Sequence, residues 1–314
     1  MKRKKMKKII DFFLNKDYRF IILANRGFYD FWDDKKYLKR FFKAQMGIEL
    51  DLKSPETFNE KIQWLKIFNR NPAYTRMVDK YKVRQYISEK IGNQYLIPLL
   101  GVWSSPEEID FDLLPDKFVL KCNHNSGLGM CICKNKNELD IRKVKEKLED
   151  GLKENYYAKY REWPYKNVEK RIIAEQYMSD QGKELQDYKI HCFNGIPKII
   201  LVCRDRFAQS GLTEDFFDVE WNHLDISREG HSHSREKIEA PTNLKLMLKL
   251  AKMLAEDMPF VRIDFYEING SVYFGEITFF PASGLEKFVP KEWDKIMGSW
   301  ISLNNGEKDN SELK

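Results

Sequence analysis

Two acidic residues near the end of the chain, Asp264 and Glu276, have the residue types of a metal-binding pair. They lie in segments of strand-like composition, FVRIDFYE and SVYFGEITFF, on either side of an Ile-Asn-Gly turn. Arg262 precedes Asp264 by two residues, so alternation along a strand places both side chains on one face. Acids buried without a partner are costly, and Mg²⁺ is typically held by one or two carboxylates together with substrate phosphates. The alternative is a solvated face that carries only a salt bridge.

The register of this hairpin decides whether the two acids meet. A two-residue turn at Asn269-Gly270 pairs Asp264 with Gly275 and points Glu276 to the opposite face. A three-residue turn pairs Asp264 with Phe274, and the two carboxylates become diagonal neighbours on one face. Alternation along the second strand also predicts that Phe274 and Glu276 share a face. The sequence permits both registers, and only the second lets the acids share a cation.

A complementary positive charge occurs in KFVLKCNHNSGLGMCICK, residues 117–134. Lys121 ends an apolar, strand-like stretch and is followed by a polar loop with Gly127 and Gly129. Glycine lets the backbone approach a phosphate closely. No Gly-Lys-Ser/Thr follows, so this is not a P-loop. A plain hairpin turn is the alternative.

The charge distribution limits the partners. The net charge of the 314 residues is +6, and the first eight residues alone contain six Lys or Arg. The remainder is close to neutral, which argues against a nucleic-acid partner. Asp11, Lys16 and Asp17 interrupt any signal-peptide core, and no apolar run is long enough to span a bilayer. We therefore expect a cytoplasmic protein whose basic, aromatic start contacts the inner membrane surface or is simply solvated.

The cysteines and histidines carry weaker signals. Five cysteines without a signal peptide predict reduced thiols in the cytoplasm. Cys131 and Cys133 should alternate with Ile132 along a strand, and no second Cys/His pair lies at zinc-finger spacing. His231 and His233 lie in GHSHS, which predicts a polar loop.

Helices alternate with antiparallel strand pairs along the chain, which predicts an α+β fold. Residues 1–72 are expected to be helical, with a capping box at Thr57 and Glu60. A second helix should begin at Asp79 and stop at Gly92. The other expected elements are strands at 118–122, 130–134 and 171–178, helices at 138–157 and 243–258, and hairpins at 187–204 and 260–280.

Four segments resemble, in chain order, the motifs of the ATP-grasp ligases. Residues 79–98 are similar to their first lysine segment, and 118–130 to the second lysine and glycine-rich phosphate flap. Residues 172–195 are similar to the adenine hinge and the following strand, and 261–278 to the metal hairpin. SPETFNEKIQWLK, GVW and VPKEWDKIMGSWISL further resemble the TupA-like group found with bacterial surface-polysaccharide and teichuronopeptide synthesis.

The resemblance spans about residues 50–302 and implies an ATP-grasp fold, in which two α+β subdomains clamp ATP. The expected organisation is a basic helical segment (1–72), the ATP-grasp domain (73–303) and a disordered tail (304–314). The implied ATP ligands are Lys80 and Lys121 on the phosphates, the backbone of Ser126, Gly127 and Gly129 over them, Glu175, Gln176, Tyr177 and Met178 at the adenine, and Asp187 at the ribose.

The resemblance also implies that Asp264 and Glu276 hold Mg²⁺. Thr278 stands where the family usually has Asn as a further ligand. Arg262 and Arg204 would act as catalytic residues that face the transferred phosphate.

Structural explanations for the other matching residues stay open. Lys80 would then be exposed in a first helical turn, Glu175 would end a strand, and Asp187 would pair only with a nearby lysine.

The implied reaction is ATP-dependent carboxylate–amine ligation through an acyl-phosphate, which makes an amide. The expected substrates are an amino acid or amine and a sugar acid or peptide of a surface glycan, with a lipid-linked glycan as one acceptor. One alternative is a sugar kinase with the same ATP site. Another is a glycosyltransferase, whose metal often binds Asp-x-Asp; the nearest candidates, DFFD and WDD, do not follow a convincing buried strand.

Overall fold

The structure is a computed structural model and describes residue 6 and residues 10–180, 185–204 and 211–303. The predicted disordered tail, 304–314, lies outside these residues. The described part of 1–72 contains helices joined by turns and loops, and two antiparallel sheets follow.

The larger sheet has six strands in the order β11-β10-β5-β6-β7-β8. These strands are β5 (Asp187–Phe193), β6 (Ile196–Arg204), β7 (Thr213–Phe217), β8 (His223–Leu224), β10 (Phe260–Ile268) and β11 (Ser271–Thr278). All neighbours are antiparallel. The β5–β6 hairpin turns at Asn194-Gly195 as predicted, and both turn residues have positive φ, as the tight two-residue turn requires.

One helix packs on this sheet through an apolar stripe. Helix α8 (Leu244–Leu254) buries Met247, Leu250 and Leu254, which recur at the three- and four-residue spacing of one helix face. They join the main hydrophobic core around the six strands.

The smaller sheet has four strands in the order β1-β4-β2-β3. Its strands are β1 (Leu99–Trp103), β2 (Phe118–Cys122), β3 (Met130–Cys133) and β4 (Ile172–Gln176). Helix α6 (Ile141–Lys153) covers it through Val144 and Leu148, which pack in a second core with the strands. Two α+β units with separate cores therefore follow each other in the chain.

The helix expected at 138–157 is two helices, α6 and α7 (Tyr156–Tyr160). Glu154 adopts an extended conformation, and the Asn155 side chain accepts a hydrogen bond from the backbone of Ala158. Asparagine is a preferred N-cap residue, so a local cap ends the continuous pattern. Apolar periodicity alone did not reveal this break.

The first helices form a third core. Helices α1 (Lys16–Ala24) and α2 (Asp34–Met46) pack together through Phe20, Tyr37 and Phe41. Helix α3 (Phe58–Phe68) begins with the predicted capping box.

The buried apolar residues of helix α3 pack in the main core around the larger sheet, not in the third core with α1 and α2. The backbone N–H of Asn59 donates to Asp294, which lies in helix α9 (Glu292–Ser299). The remaining elements are α4 (Ala73–Val78), α5 (Val83–Lys90), β9 (Ser227–Arg228) and β12 (Phe288–Val289).

Candidate functional site

The β10–β11 hairpin has neither of the two predicted registers. Its turn is the two-residue Asn269-Gly270 form, both residues having positive φ. Gly275 is then skipped in a β-bulge, so that Asp264 pairs directly with Glu276. The extra residue in the bulge restores the common face that a regular two-residue hairpin would have destroyed.

The bulge also overturns the expectation that Phe274 and Glu276 share a face. Phe274 pairs with Phe265 on the other side of the ribbon. A Cβ added at Gly275 would lie 3.1 Å from the backbone oxygen of Asp264 and 3.1 Å from the Tyr266 ring. The tight approach explains why the bulge position is a glycine.

Arg262 joins the two acids. Its Nε lies 2.7 Å from Asp264 Oδ1, and its Nη2 lies 2.8 Å from Asp264 Oδ2 and 2.9 Å from Glu276 Oε1. Burial disfavours the guanidinium charge, but Asp264 and Glu276 outweigh it and raise the pKa of Arg262. The predicted face of charged residues therefore exists, as an ion cluster in which Arg262 and Asp264 are largely buried.

Strand β5 adds three polar side chains to this face, two of which the sequence analysis did not consider. Asp187, Lys189 and His191 alternate along the strand and are buried. Lys189 Nζ lies 2.5 Å from Asp264 Oδ2 and 3.4 Å from Asp187. Burial lowers the pKa of His191 to about 3, with Arg262 adding to the effect, so the ring is neutral. The period-two pattern of DYKIHCF was the signal that could have identified Lys189 and His191.

The smaller sheet supplies the opposite wall of a cleft. Lys121 Nζ lies 2.6 Å from Glu175 Oε2, and Arg84 lies 3.6 Å from the other oxygen. The Lys80 ammonium donates to the backbone oxygen of Asn125. These side chains line a pocket together with Gly275 of the hairpin bulge.

Lys80 is half-buried rather than exposed in a helical turn. Burial lowers its pKa, while Glu276 across the cleft partly opposes that effect. Glu175 is the next-to-last residue of β4 and is buried, so it does lie near a strand end, as the structural alternative proposed. Asp187 does contact a lysine, Lys189, as the structural alternative proposed.

The two glycines of the glycine-rich loop differ in the space around them. Ser126 and Gly127 are exposed, and nothing lies within 4 Å of a Cβ added at Gly127. A Cβ at Gly129 would lie 2.7 Å from Cys122 Sγ and 2.9 Å from the Cα of Gly151 in helix α6. Close packing therefore explains Gly129 by itself, whereas Gly127 is available to a ligand.

Beyond Gln176, the last residue of β4, the predicted hinge leaves the smaller sheet. The backbone N–H of Gln176 donates to Pro98, and Tyr177 and Met178 follow the strand half-buried. Residues 181–184 lie outside the described part of the chain.

Arg204 is the one predicted catalytic residue that the structure does not bring to the cluster. It follows Val202 by two residues on β6, and Val202 pairs with Tyr188, which pairs with Phe265. Alternation places all of these on the face opposite Asp264. The carboxylate near Arg204 is Glu236, 3.7 Å away. Arg206, the neighbouring candidate, lies outside the described residues.

A family model described as TupA-like ATPgrasp matches residues 60–302. The chain belongs to the TupA-like ATP-grasp family. The two sheets with their helices are the two α+β subdomains of an ATP-grasp fold, as predicted. No curated protein matches the chain in sequence.

Several solved ligases and synthetases have similar folds at low identity. The D-alanine–D-alanine ligase of Bacillus anthracis, complexed with ATP, is 18% identical with a TM-score of 0.41, covering 65% of this chain and 55% of that one. The Helicobacter pylori D-alanine–D-alanine ligase is 15% identical with a TM-score of 0.42, covering 78% and 69%. A D-cycloserine synthetase, DcsG, is 13% identical with a TM-score of 0.40, covering 73% and 71%. The chain thus spans about half the length of the first of these.

The acidic residues of the β10–β11 hairpin are suitable ligands for the Mg²⁺ that the family resemblance implies. Asp264, Glu276 and Thr278 all offer the hard oxygen donors that Mg²⁺ prefers. Thr278 Oγ1 lies 3.4 Å from Glu276 Oε1, and the Glu276 side chain is 41% exposed at the cleft. In the structure the Arg262 guanidinium supplies the positive charge between the acids.

A second buried group beside the cleft was missed because its members are far apart in sequence. Glu162 accepts a hydrogen bond from the Ser283 hydroxyl, and Lys66 donates to the Ser283 backbone oxygen at 2.8 Å. Burial raises the pKa of Glu162 to about 7 and lowers the pKa of Lys66 to about 8. The charges of Arg262 and Glu276 also act on Glu162, so this group lies close to the ion cluster.

Proposed function

We propose that the protein is an ATP-dependent carboxylate–amine ligase that works through an acyl-phosphate. The observation that carries the proposal is the direct pairing of Asp264 with Glu276, bridged by Arg262, across the cleft from Lys80 and Lys121. Two acids and several cations converging on one cleft suit a nucleotide triphosphate that arrives with a cation. Membership of the TupA-like ATP-grasp family supports the same reaction class.

The chemistry follows from the leaving group. A carboxylate oxygen attacks the γ-phosphorus of ATP, and the bond to ADP breaks. The amine nitrogen then attacks the acyl carbon, phosphate leaves, and the nitrogen loses a proton to solvent or to the departing phosphate. Positioning and electrostatic stabilisation are enough for both steps, so the protein needs no covalent nucleophile.

Each residue of the cleft has a proposed part in binding or catalysis. Lys80 and Lys121 neutralise phosphate oxygens, and Arg262 stabilises the transferred phosphoryl group. Asp187 binds the ribose. Further contacts come from the backbone at 126–129 to the phosphates and from residues 175–178 to the adenine. Mg²⁺ held by Asp264, Glu276 and Thr278 would neutralise phosphate charge.

The proposed products belong to a bacterial surface polysaccharide. We propose that the enzyme joins an amino acid or amine to a sugar acid or peptide of such a glycan, which is the setting that the TupA-like resemblance suggests. The bond formed is an amide.

Exposed apolar side chains near the start of the chain support peripheral contact with the inner face of the membrane, where a lipid-linked acceptor would lie. Phe13, Leu14, Phe28 and Phe31 are 60% to 83% exposed, and the six basic residues of the first eight precede them. Aromatic and basic groups together favour an anionic lipid surface. Among the described residues, no helix has the length and apolar character needed to cross a bilayer.

Vesicle binding tests this contact. The protein should sediment with phosphatidylglycerol-containing vesicles but not with phosphatidylcholine vesicles. The Phe28→Ser/Phe31→Ser variant should sediment less. Leu113 is 84% exposed elsewhere, and its Leu113→Ser variant should sediment like the unchanged protein. Equal sedimentation of all three proteins would refute the proposed surface.

The reaction is tested with ATP, Mg²⁺ and candidate sugar acids, with and without amino acids. Amine-dependent release of ADP and phosphate supports the ligase. ADP formed together with a stable phosphosugar would instead identify a kinase, and UDP released from a nucleotide sugar would identify a glycosyltransferase.

The Asp264→Asn variant should lose turnover by about 10²-fold or more, because one carboxylate of the facing pair becomes neutral. Glu256→Gln, which alters an exposed acid paired with Lys90, is the control. Full activity in Asp264→Asn would remove the proposed cation site.

A further inference from the structure

Three metal-ligating side chains converge at the outer edge of the larger sheet, away from the ATP cleft. They are Asp215 on β7, His223 on β8 and His233 in the following loop. His223 Nε2 lies 3.1 Å and His233 Nδ1 lies 3.2 Å from Asp215 Oδ1. One ligand atom from each of the three lies within 4.8 Å of the other two.

The sequence analysis had dismissed both parts of this cluster. GHSHS is a loop, as predicted, but His233 folds back onto the sheet. DFFD, thought not to follow a buried strand, begins within the buried strand β7. Its two acids have separate roles, since Asp218 accepts hydrogen bonds from the turn backbone at Glu220 and Asn222. No ligand spacing in the sequence connects Asp215 with the histidines, because strand pairing brings them together.

The donor set and its spacing suit a transition metal. Zn²⁺ is bound by imidazole nitrogen and carboxylate oxygen at about 2.0–2.2 Å in a tetrahedron, whose ligands are therefore about 3.4 Å apart. The observed separations of 3.1 and 3.2 Å from Asp215 to each histidine are close to that value. Asp215 is 3% exposed, whereas the side chains of His223 and His233 are 47% and 35% exposed. A fourth position facing solvent is thus open to water.

The anchoring ligand is held in place. Asp215 Oδ2 accepts a hydrogen bond from the backbone N–H of Ser234 at 3.0 Å, which leaves Oδ1 toward the two rings. Such outer contacts orient the ligands of metal sites. Within the described residues, the basic side chains found within 4 Å of the Asp215 carboxylate are the two imidazoles alone.

The neighbouring acid, Glu214, has a different set of partners and serves as a comparison for Asp215. Glu214, one residue earlier, pairs with Arg228, which also binds Glu286. His231 lies 3.4 Å from Glu214. A fixed guanidinium therefore neutralises Glu214, while Asp215 depends on imidazoles, which can bind either a proton or a metal.

We propose that Asp215, His223 and His233 bind one Zn²⁺ ion, which fastens the loop at 231–234 and strand β8 to the edge of β7. Asp215 pairs with Val202, which shares a face with Tyr188 and Phe265. This face is opposite that of Asp264. The ion is therefore separate from the proposed catalytic cation.

Metal binding is measured on the full chain after dialysis against EDTA, with excess Mg²⁺ present to occupy the acids of the ATP cleft. Calorimetric titration should show one Zn²⁺ per chain. His223→Ala and His233→Ala should each weaken binding by at least about a hundredfold, since each removes one of three protein ligands. His231→Ala lies in the same loop but faces Glu214 and should bind Zn²⁺ as the unchanged protein does.

Two further measurements, the absorption spectrum with Co²⁺ and the change of Tm on adding Zn²⁺, distinguish loss of the metal site from loss of folding. Co²⁺ should give the visible absorption of a tetrahedral site in the unchanged protein and in His231→Ala, and lose it in His233→Ala. Zn²⁺ should raise the Tm of the first two proteins only, since a ligand stabilises only the state that binds it. Equal Zn²⁺ affinity of His231→Ala and His233→Ala, or no stoichiometric binding to the unchanged protein, would overturn the proposal.

Discussion

The two walls of the proposed ATP cleft organise their charges in different ways. On the larger sheet, Arg262 binds Asp264 and Glu276, and Lys189 binds Asp264 as well, in a network in which Asp264 is 2% exposed. On the smaller sheet, Lys121 makes one close ion pair within the described residues, with Glu175. The adjoining loop exposes Ser126 and Gly127.

This difference separates preorganised groups from adjustable ones. Charges held by several buried partners are already oriented before a ligand binds, which is what electrostatic stabilisation of a reaction requires. The Lys121 side chain and the loop with an exposed glycine can change position to fit a ligand at little cost in free energy. We therefore propose that the larger sheet performs the chemistry and that the smaller sheet binds the nucleotide.

The largest effect should come from Arg262→Ala. Removal of the guanidinium leaves Asp264 and Glu276 facing each other without their bridge, which should cost about 3–5 kcal/mol of stability and about 10²–10³-fold in kcat. Urea unfolding and ADP release measure the two effects.

Arg228→Ala is the matched control, since Arg228 also bridges two acids, Glu214 and Glu286. It should destabilise the protein without a comparable fall in kcat. Equal kcat losses in the two variants would mean that the Arg262 cluster only holds the fold together.

The next effect concerns the two loop glycines of the smaller sheet. Gly129→Ala should destabilise the protein by about 2 kcal/mol or more, because the new methyl group meets Cys122 and Gly151 and the φ of +69° is unfavourable. Gly127→Ala, with a φ of +86° but open space around it, should cost about 1 kcal/mol. Thermal unfolding compares them, and similar losses would contradict the close packing of Gly129.

Lys121→Ala should raise the KM for ATP about tenfold, since one charge-assisted contact with a phosphate is lost. Stability should change little, because Glu175 keeps Arg84 as a partner. Lys117→Ala, at an exposed position just before the same strand, should leave the KM unchanged. A fall in kcat with an unchanged KM would move Lys121 from nucleotide capture to catalysis.

The smallest effect is the change in stability between pH 7 and pH 5.5. His191, buried with a pKa of about 3, stays neutral in the folded protein, while the unfolded chain takes up a proton below about pH 6.5. Its contribution to stability is therefore complete above pH 6.5 and falls by about 1.4 kcal/mol per pH unit toward pH 3. His124 lies in the loop of the smaller sheet and has a pKa of about 4. Its contribution to stability also falls as the pH is lowered, but over a narrower pH range.

Urea unfolding at pH 7 and pH 5.5 tests this prediction. The stability difference between the two pH values should be smaller in His191→Gln than in the unchanged protein. An unchanged difference would show that His191 is protonated in the folded state.

Much of the fold followed from local patterns. The capping box at Thr57, the turn at Asn194-Gly195 and the strands on both sides of the 123–129 loop were predicted where they occur, because each depends on neighbouring residues. The resemblance to the TupA-like ATP-grasp family also rested on short segments, and the family match over residues 60–302 confirms it. The break at Glu154 and the short strand β8 were missed, since their apolar patterns are too short or too ambiguous.

The sequence by itself determined which side chains are available. It places Arg262 two residues before Asp264, Glu276 after the turn, and lysines near a glycine-rich loop. It also determines which residues alternate along each strand. Tertiary structure alone decided which of them meet. The bulge at Gly275 brought Glu276 to the face of Asp264, and strand pairing placed Arg204 on the opposite face. Register depends on contacts between distant segments, and a shift of one residue reverses every side chain, so no local pattern could have settled it.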